Sequence, residues 1–142
     1  MNRLKVLLVD SHERFRQSVA SFLNEQGFVE IVGEAVNGVE AITQTEQLRP
    51  DLVLLDLDIR ERDGFEVTRE IKLRTPRTKV IILSMNGDDA YRRMARRNAA
   101  DGFIDKSSLK CALLEVLVSE RQRLSMGELA GQTHDDNTNY DN

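Results

Sequence analysis

Leu52-Val53-Leu54-Leu55-Asp56-Leu57-Asp58 decides how this chain is read. Four apolar residues in a row, without polar alternation, predict a strand covered on both faces, as in a parallel sheet with helices above and below. The run then stops on two carboxylates one residue apart. In an open parallel sheet ligands bind beyond the carboxyl ends of the strands, so Asp56 stands where chemistry takes place. Working outward, three more strand-like runs end on polar residues. Leu4-Lys5-Val6-Leu7-Leu8-Val9 runs into Asp10, Lys79-Val80-Ile81-Ile82-Leu83 into Ser84, and Gly102-Phe103-Ile104-Asp105 into Lys106. Parallel strands put all four ends on one rim. Two carboxylates, a hydroxyl and an ammonium gathered there can hold a divalent cation and a phosphoryl group together, with a carboxylate as nucleophile.

Helical patterns lie between these strands. Phe15, Val19, Phe22 and Leu23 recur at helical spacing as far as Gly27, which is expected to stop the helix in the left-handed region. Val29-Glu30-Ile31-Val32 alternates like a half-exposed edge strand. A second helix opens at Asn37-Gly38 and closes before Pro50, and a third opens at Asp63-Gly64 and closes at Thr75-Pro76. A fourth, over 88–98, sets only Met94, Ala95 and neighbouring alanines against Arg92, Arg93, Arg96 and Arg97, and is expected to be mobile. The last is capped by Ser107 or Ser108 and turns Leu109, Leu113, Val116 and Leu117 to one side. The alternation predicts an α/β doubly wound fold, a five-stranded parallel sheet with helices on both faces.

The chain has 142 residues, 40% hydrophobic and 31% charged, which suits one core. It carries 24 acidic and 20 basic residues, and Glu128, Asp135, Asp136 and Asp141 account for the whole net charge of -4. Residues 1–124 therefore read as a neutral domain, and 125–142 as a polar, acidic, flexible tail. Nothing in the charge attracts nucleic acid or a membrane surface. Arg3 and Lys5 precede an apolar run of only four residues before Asp10, too short for a signal-peptide core, and no run approaches membrane-spanning length. Cys111, the lone cysteine, reads as a buried thiol in a reducing compartment, so the expected location is the cytoplasm. His12 reads as a solvated first-turn residue, and His134 falls in the tail.

Four separated segments, in order, resemble the receiver domains of two-component response regulators: Val6-Leu7-Leu8-Val9-Asp10, Leu54-Leu55-Asp56-Leu57, Leu83-Ser84-Met85 and Asp101-Gly102-Phe103-Ile104-Asp105-Lys106. The likeness covers residues 4 to about 120 and is strongest to the LuxR/NarL/FixJ-type subfamily, whose receivers precede a helix-turn-helix domain. It implies the flavodoxin-like strand order 2-1-3-4-5. It implies that Asp56 accepts a phosphoryl group from a sensor histidine kinase or phosphotransfer protein, helped by Lys106 and Ser84. Mg²⁺ would be held by Asp10, Asp56 and the main-chain carbonyl of Asp58. Phe103 would be the switch aromatic, and helix 4, strand 5 and helix 5 the face read by a downstream protein or by a second copy in a phosphorylation-dependent homodimer. With 36 residues after Lys106, a single-domain regulator without direct nucleic-acid contact is expected.

The chain departs from the pattern in three places. Ser11 stands where receivers usually carry a second acid, which should weaken the cation site. Ile59-Arg60 replaces the usual Met-Pro and is expected to bring a guanidinium near the site. Ala99 stands where a glycine often ends helix 4, so Asn98 is expected to take the left-handed turn. Asp58 can orient a hydrolytic water and so modulate the acyl phosphate's lifetime. Ser11 and Arg60 keep a second reading open, a receiver-like interaction module independent of phosphate. A third is remote: Asp56-Leu57-Asp58-Ile59 also resembles the nucleophile motif of haloacid-dehalogenase-type phosphatases. That family places its nucleophile on an early strand and needs an acidic pair after its lysine, for which only Asp135-Asp136 is available.

Overall fold

The computed structural model describes residues 3–141, with side chains as far as Gly127. Its elements alternate as β1 (Leu4–Val9), α1 (Glu13–Asn24), β2 (Val29–Ala35), α2 (Gly38–Leu48), β3 (Leu52–Asp56), α3 (Gly64–Arg74), β4 (Lys79–Ser84), α4 (Asp89–Arg97), β5 (Gly102–Asp105), a 3₁₀ turn (Lys106–Ser108) and α5 (Leu109–Asp141). The strands form one sheet in the order β2-β1-β3-β4-β5, all parallel. This is the doubly wound arrangement expected, and the reason is visible in β3, every residue of which is buried. Alternate side chains of each strand serve opposite faces. Leu7, Val9, Val53, Leu55, Val80 and Ile82 pack under α2, α3 and α4 with Ile42, Val67, Ile71 and Ala95. Leu4, Val6, Leu8, Leu52, Leu54, Ile81 and Leu83 pack under α1 and α5 with Val19, Leu23, Leu113 and Leu117. No helix among the described residues is long and apolar enough to cross a membrane.

Several local expectations are corrected. Gly27 does not stop α1 in a left-handed turn; α1 ends at Asn24, and no described glycine has positive φ. The helix end is tied off by bonds from the Glu25 and Gln26 amides to Ser21 and Leu23 and from the Gln26 side chain to the Phe22 carbonyl, so no such turn is needed. Asn98 does not take the turn after α4 either. It stays at φ -99° with its amide donating to the Met94 carbonyl, and the turn falls on Ala99 at φ 67°. Neither serine caps the last helix: Asp105 accepts from the Ser107 amide and opens the 3₁₀ turn before α5. Cys111 is exposed, because the buried stripe of α5 runs through Leu113 and Leu117, and Cys111 sits off that stripe. The tail expected over 125–142, His134 and Asp135-Asp136 included, lies largely outside the residues whose side chains are described.

Candidate functional site

Sheet register brings the four polar strand ends together. Val9 pairs with Leu55, Asp56 with Leu83, and Ser84 with Asp105, so Asp10, Asp56, Ser84 and Lys106 stand side by side at the carboxyl rim. A cleft of about 660 Å³ opens at this rim, lined by His12, Asp56, Asp58, Ser84 and Lys106 among others. Asp56 is 1% exposed. One of its oxygens, Oδ2, accepts from Lys106 Nζ at 2.7 Å; the other accepts from the Asp58 amide at 3.0 Å. The lysine is pinned twice, since its ammonium also lies 3.9 Å from the centroid of the Phe15 ring. A buried carboxylate held by one ammonium and one amide is fixed in place with its charge only partly answered.

Asp10 supplies the excess charge. It is buried, its Oδ1 accepts from the His12 amide at 2.7 Å, and its Oδ2 is buried without a hydrogen-bond partner among the described residues. Burial pushes its pKa from 3.8 up to about 6; the His12 amide opposes this and the neighbouring Asp56 reinforces it. Such an oxygen, facing a second carboxylate, is satisfied by a cation. The two carboxylates therefore fit a divalent cation. Arg16 fixes the Asp10 backbone, donating from Nη1 to its carbonyl at 2.8 Å while Nε pairs with Glu34 at 2.8 Å. His12 Nδ1 lies 3.4 Å from Asp10 Oδ1, and one ligand atom from each of Asp10, His12 and Asp56 fits within a 4.8 Å spread.

Ser11 is turned to another task. Its hydroxyl donates to the Val36 carbonyl at 2.9 Å and accepts from the Arg60 amide at 3.0 Å, tying the loop after β1 to those after β2 and β3. Arg60 is thus held by its main chain, and its side chain forms no ion pair among the described residues. Ser84 is buried at the end of β4, its Oγ accepting from the Asn86 amide at 3.0 Å. Phe103 is half-buried against the α2, α3 and α4 core, and the Arg92 guanidinium lies 5.0 Å from its ring.

Residues 6–118 match the model of the response regulator receiver domain family. The chain belongs to that family. It is 36% identical over 127 residues to the response regulator protein VraR of Staphylococcus aureus, a stretch that covers 88% of this chain and 58% of that protein. The chain spans little more than half the length of the curated relatives it matches. Among solved structures, it resembles the signal receiver domain of the response regulator NarL from Mycobacterium tuberculosis (27% identity, TM-score 0.73, covering 82% of this chain and 98% of that one). It also resembles a LuxR-family DNA-binding response regulator from Staphylococcus aureus (25% identity, TM-score 0.76, covering 82% and 98%).

Within this receiver, Asp10, Asp56, Ser84 and Lys106 are brought to one rim, Asp58 touches Asp56 through its amide with its side chain exposed, and Phe103 stands apart beside α4. Phe15, Arg16, His12 and Arg92 are contacts that sequence reasoning missed. His12 carried one signal, its position two residues from Asp10 on the loop leaving β1.

Proposed function

We propose that this receiver is a phosphoacceptor switch: Asp56 takes a phosphoryl group from the phosphohistidine of a sensor kinase or phosphotransfer protein. The observation that carries this is the buried Asp56 carboxylate, fixed at 2.7 Å by Lys106 with the unsatisfied Asp10 beside it. An Asp56 oxygen forms the new P–O bond as the P–N bond breaks, and the departing imidazole keeps the electron pair and takes up a proton. Lys106 exchanges its carboxylate partner for a phosphoryl oxygen, and the Ser84 hydroxyl donates a hydrogen bond to another. Asp10, Asp56 and the Asp58 carbonyl would hold Mg²⁺, which when bound neutralises phosphoryl charge. Asp58, exposed above the acceptor, orients the water that later hydrolyses the acyl phosphate, so turnover of the mark is self-catalysed.

The output is a change at α4, β5 and α5. Ser84 and Phe103 lie on neighbouring strands, so movement of the hydroxyl shifts the space into which the Phe103 ring turns, away from Arg92. That face then binds a downstream protein or a second copy. The test is acetyl phosphate with Mg²⁺, read by intact mass. Wild type is expected to gain one phosphoryl group and Asp56→Asn none; absence of label on wild type would overturn the phosphoacceptor reading. It would instead favour a phosphate-independent interaction module, which the diversion of Ser11 into loop bonding supports.

A further inference from the structure

We propose that His12 is a metal ligand in this receiver, completing with Asp10 and Asp56 a one-imidazole, two-carboxylate centre that prefers borderline divalent ions such as Zn²⁺, Mn²⁺ or Co²⁺ over Mg²⁺. The inference rests on the reading of this rim as a cation-dependent phosphoacceptor site and changes which ion the site selects.

Ser11 cannot serve as the third ligand. Its hydroxyl already donates to Val36 and accepts from Arg60, which aims it into the loops. The position after it takes over. His12 opens α1 as the N-cap residue, yet its side chain makes no capping hydrogen bond, so the imidazole is committed to nothing in the helix. Its Nδ1 lies 3.4 Å from Asp10 Oδ1, and Asp56 brings an oxygen within the same 4.8 Å spread. Two ligands bonded at about 2.0–2.2 Å in a tetrahedral arrangement stand about 3.4 Å apart, so the His12–Asp10 pair already has the span of a shared ion. A second observation points independently to a cation there: Asp10 Oδ2, on a residue only 4% exposed, has no hydrogen-bond partner among the described residues.

Ligand chemistry then sets the selectivity. Mg²⁺ takes oxygen donors and dehydrates reluctantly, whereas imidazole suits zinc and its neighbours in the first transition row. Exchanging an acid at position 11 for an imidazole at position 12 removes one negative charge from the hard-ion site and adds one nitrogen donor. His12 is 61% exposed in its side chain, so it can swing the short distance needed without disturbing the core.

The test titrates the full chain with Zn²⁺, Co²⁺ and Mg²⁺ by calorimetry, with His134→Ala in every protein so that His12 is the sole histidine. His12→Ala is expected to lower the ratio of Zn²⁺ to Mg²⁺ affinity at least about tenfold, since even groups that only support a ligand cost that much. His12→Asp, which keeps three ligands but returns an oxygen, is expected to shift preference toward Mg²⁺. The Co²⁺ visible spectrum of the His134→Ala protein should show nitrogen and oxygen ligation without the thiolate charge-transfer band that Cys111 would produce. An unchanged Zn²⁺ to Mg²⁺ ratio in His12→Ala, or a thiolate band, overturns the proposal. Acetyl-phosphate labelling of the wild-type chain, measured alongside, reports on Asp56 separately, so the two readings can fail independently.

Discussion

Ser11 is the residue at which this rim trades charge for connectivity. Its hydroxyl joins three loops through bonds to Val36 and Arg60, 25 and 49 residues away in the chain. Removing it in Ser11→Ala should cost about 1 kcal/mol, the net worth of an ordinary hydrogen bond at a partly exposed site. Ser11→Asp should do two opposite things. It places a third carboxylate beside Asp10 and Asp56, worth about 1 kcal/mol or roughly fivefold in Mg²⁺ affinity. It also loses the donor to Val36, so without cation the protein should unfold at lower urea. Calorimetry and urea unfolding on the same sample check both; unchanged Mg²⁺ affinity would show that position 11 points away from the ion. The strand-end residues Asp10, Asp56, Ser84 and Lys106 were legible because each lies at or just past the end of a strand-like run whose end fixes its place. The use of Ser11 was not, since a hydroxyl's partners depend on loops far off in sequence. His12 was passed over for the same reason: its relation to Asp56 exists only after β1 and β3 pair.

At the scale of elements, the strands and caps were readable and the helix exits were not. Buried strands announce themselves as unbroken apolar runs, and Asn37 and Asp63 cap α2 and α3 by accepting from Glu40 and Phe65 amides, as their positions before Gly38 and Gly64 suggest. Which residue of Asn98-Ala99 bears the left-handed turn is decided instead by the Asn98 side chain, which bonds the Met94 carbonyl only if its own backbone stays near helical values. Ala99 carries the strain. An L-residue with a side chain pays roughly 1–2 kcal/mol for that conformation, whereas glycine adopts it freely. Part of that is returned as unfolded-state entropy, so Ala99→Gly should stabilise the protein by about 0.5–1 kcal/mol in urea unfolding. Because Ala99 leads into β5, the same substitution should leave metal binding at the rim unaltered. A loss of stability would show that the Ala99 methyl group contributes packing worth more than the strain.

For the whole molecule, the unsatisfied acid at the rim makes stability depend on pH in a direction opposite to that of most carboxylates. Asp10 has a native pKa of about 6 against 3.8 when unfolded, because burial and then the charge of Asp56 outweigh the His12 amide and Lys106. Between those values the native state binds the extra proton, so this group's contribution is fully present below about pH 3.8 and is lost as pH rises through about 6. Two units correspond to a loss on the order of 3 kcal/mol across that window in cation-free buffer. The other titrating groups contribute their own slopes, so the comparison to make is with Asp10→Asn. Asparagine keeps an oxygen for the His12 amide and offers an N–H to Asp56 where Oδ2 had no partner. In cation-free buffer the variant should match wild type near pH 4 and exceed it by up to about 3 kcal/mol near pH 7. A saturating divalent cation reverses the order, because it binds only the native wild-type rim and stabilises it by mass action. Urea unfolding at both pH values, with chelator and then with cation, reads all four corners. A stability difference between the two proteins that does not change with pH would mean that Asp10 is ionised throughout, answered by Lys106 more fully than their separation across Asp56 implies.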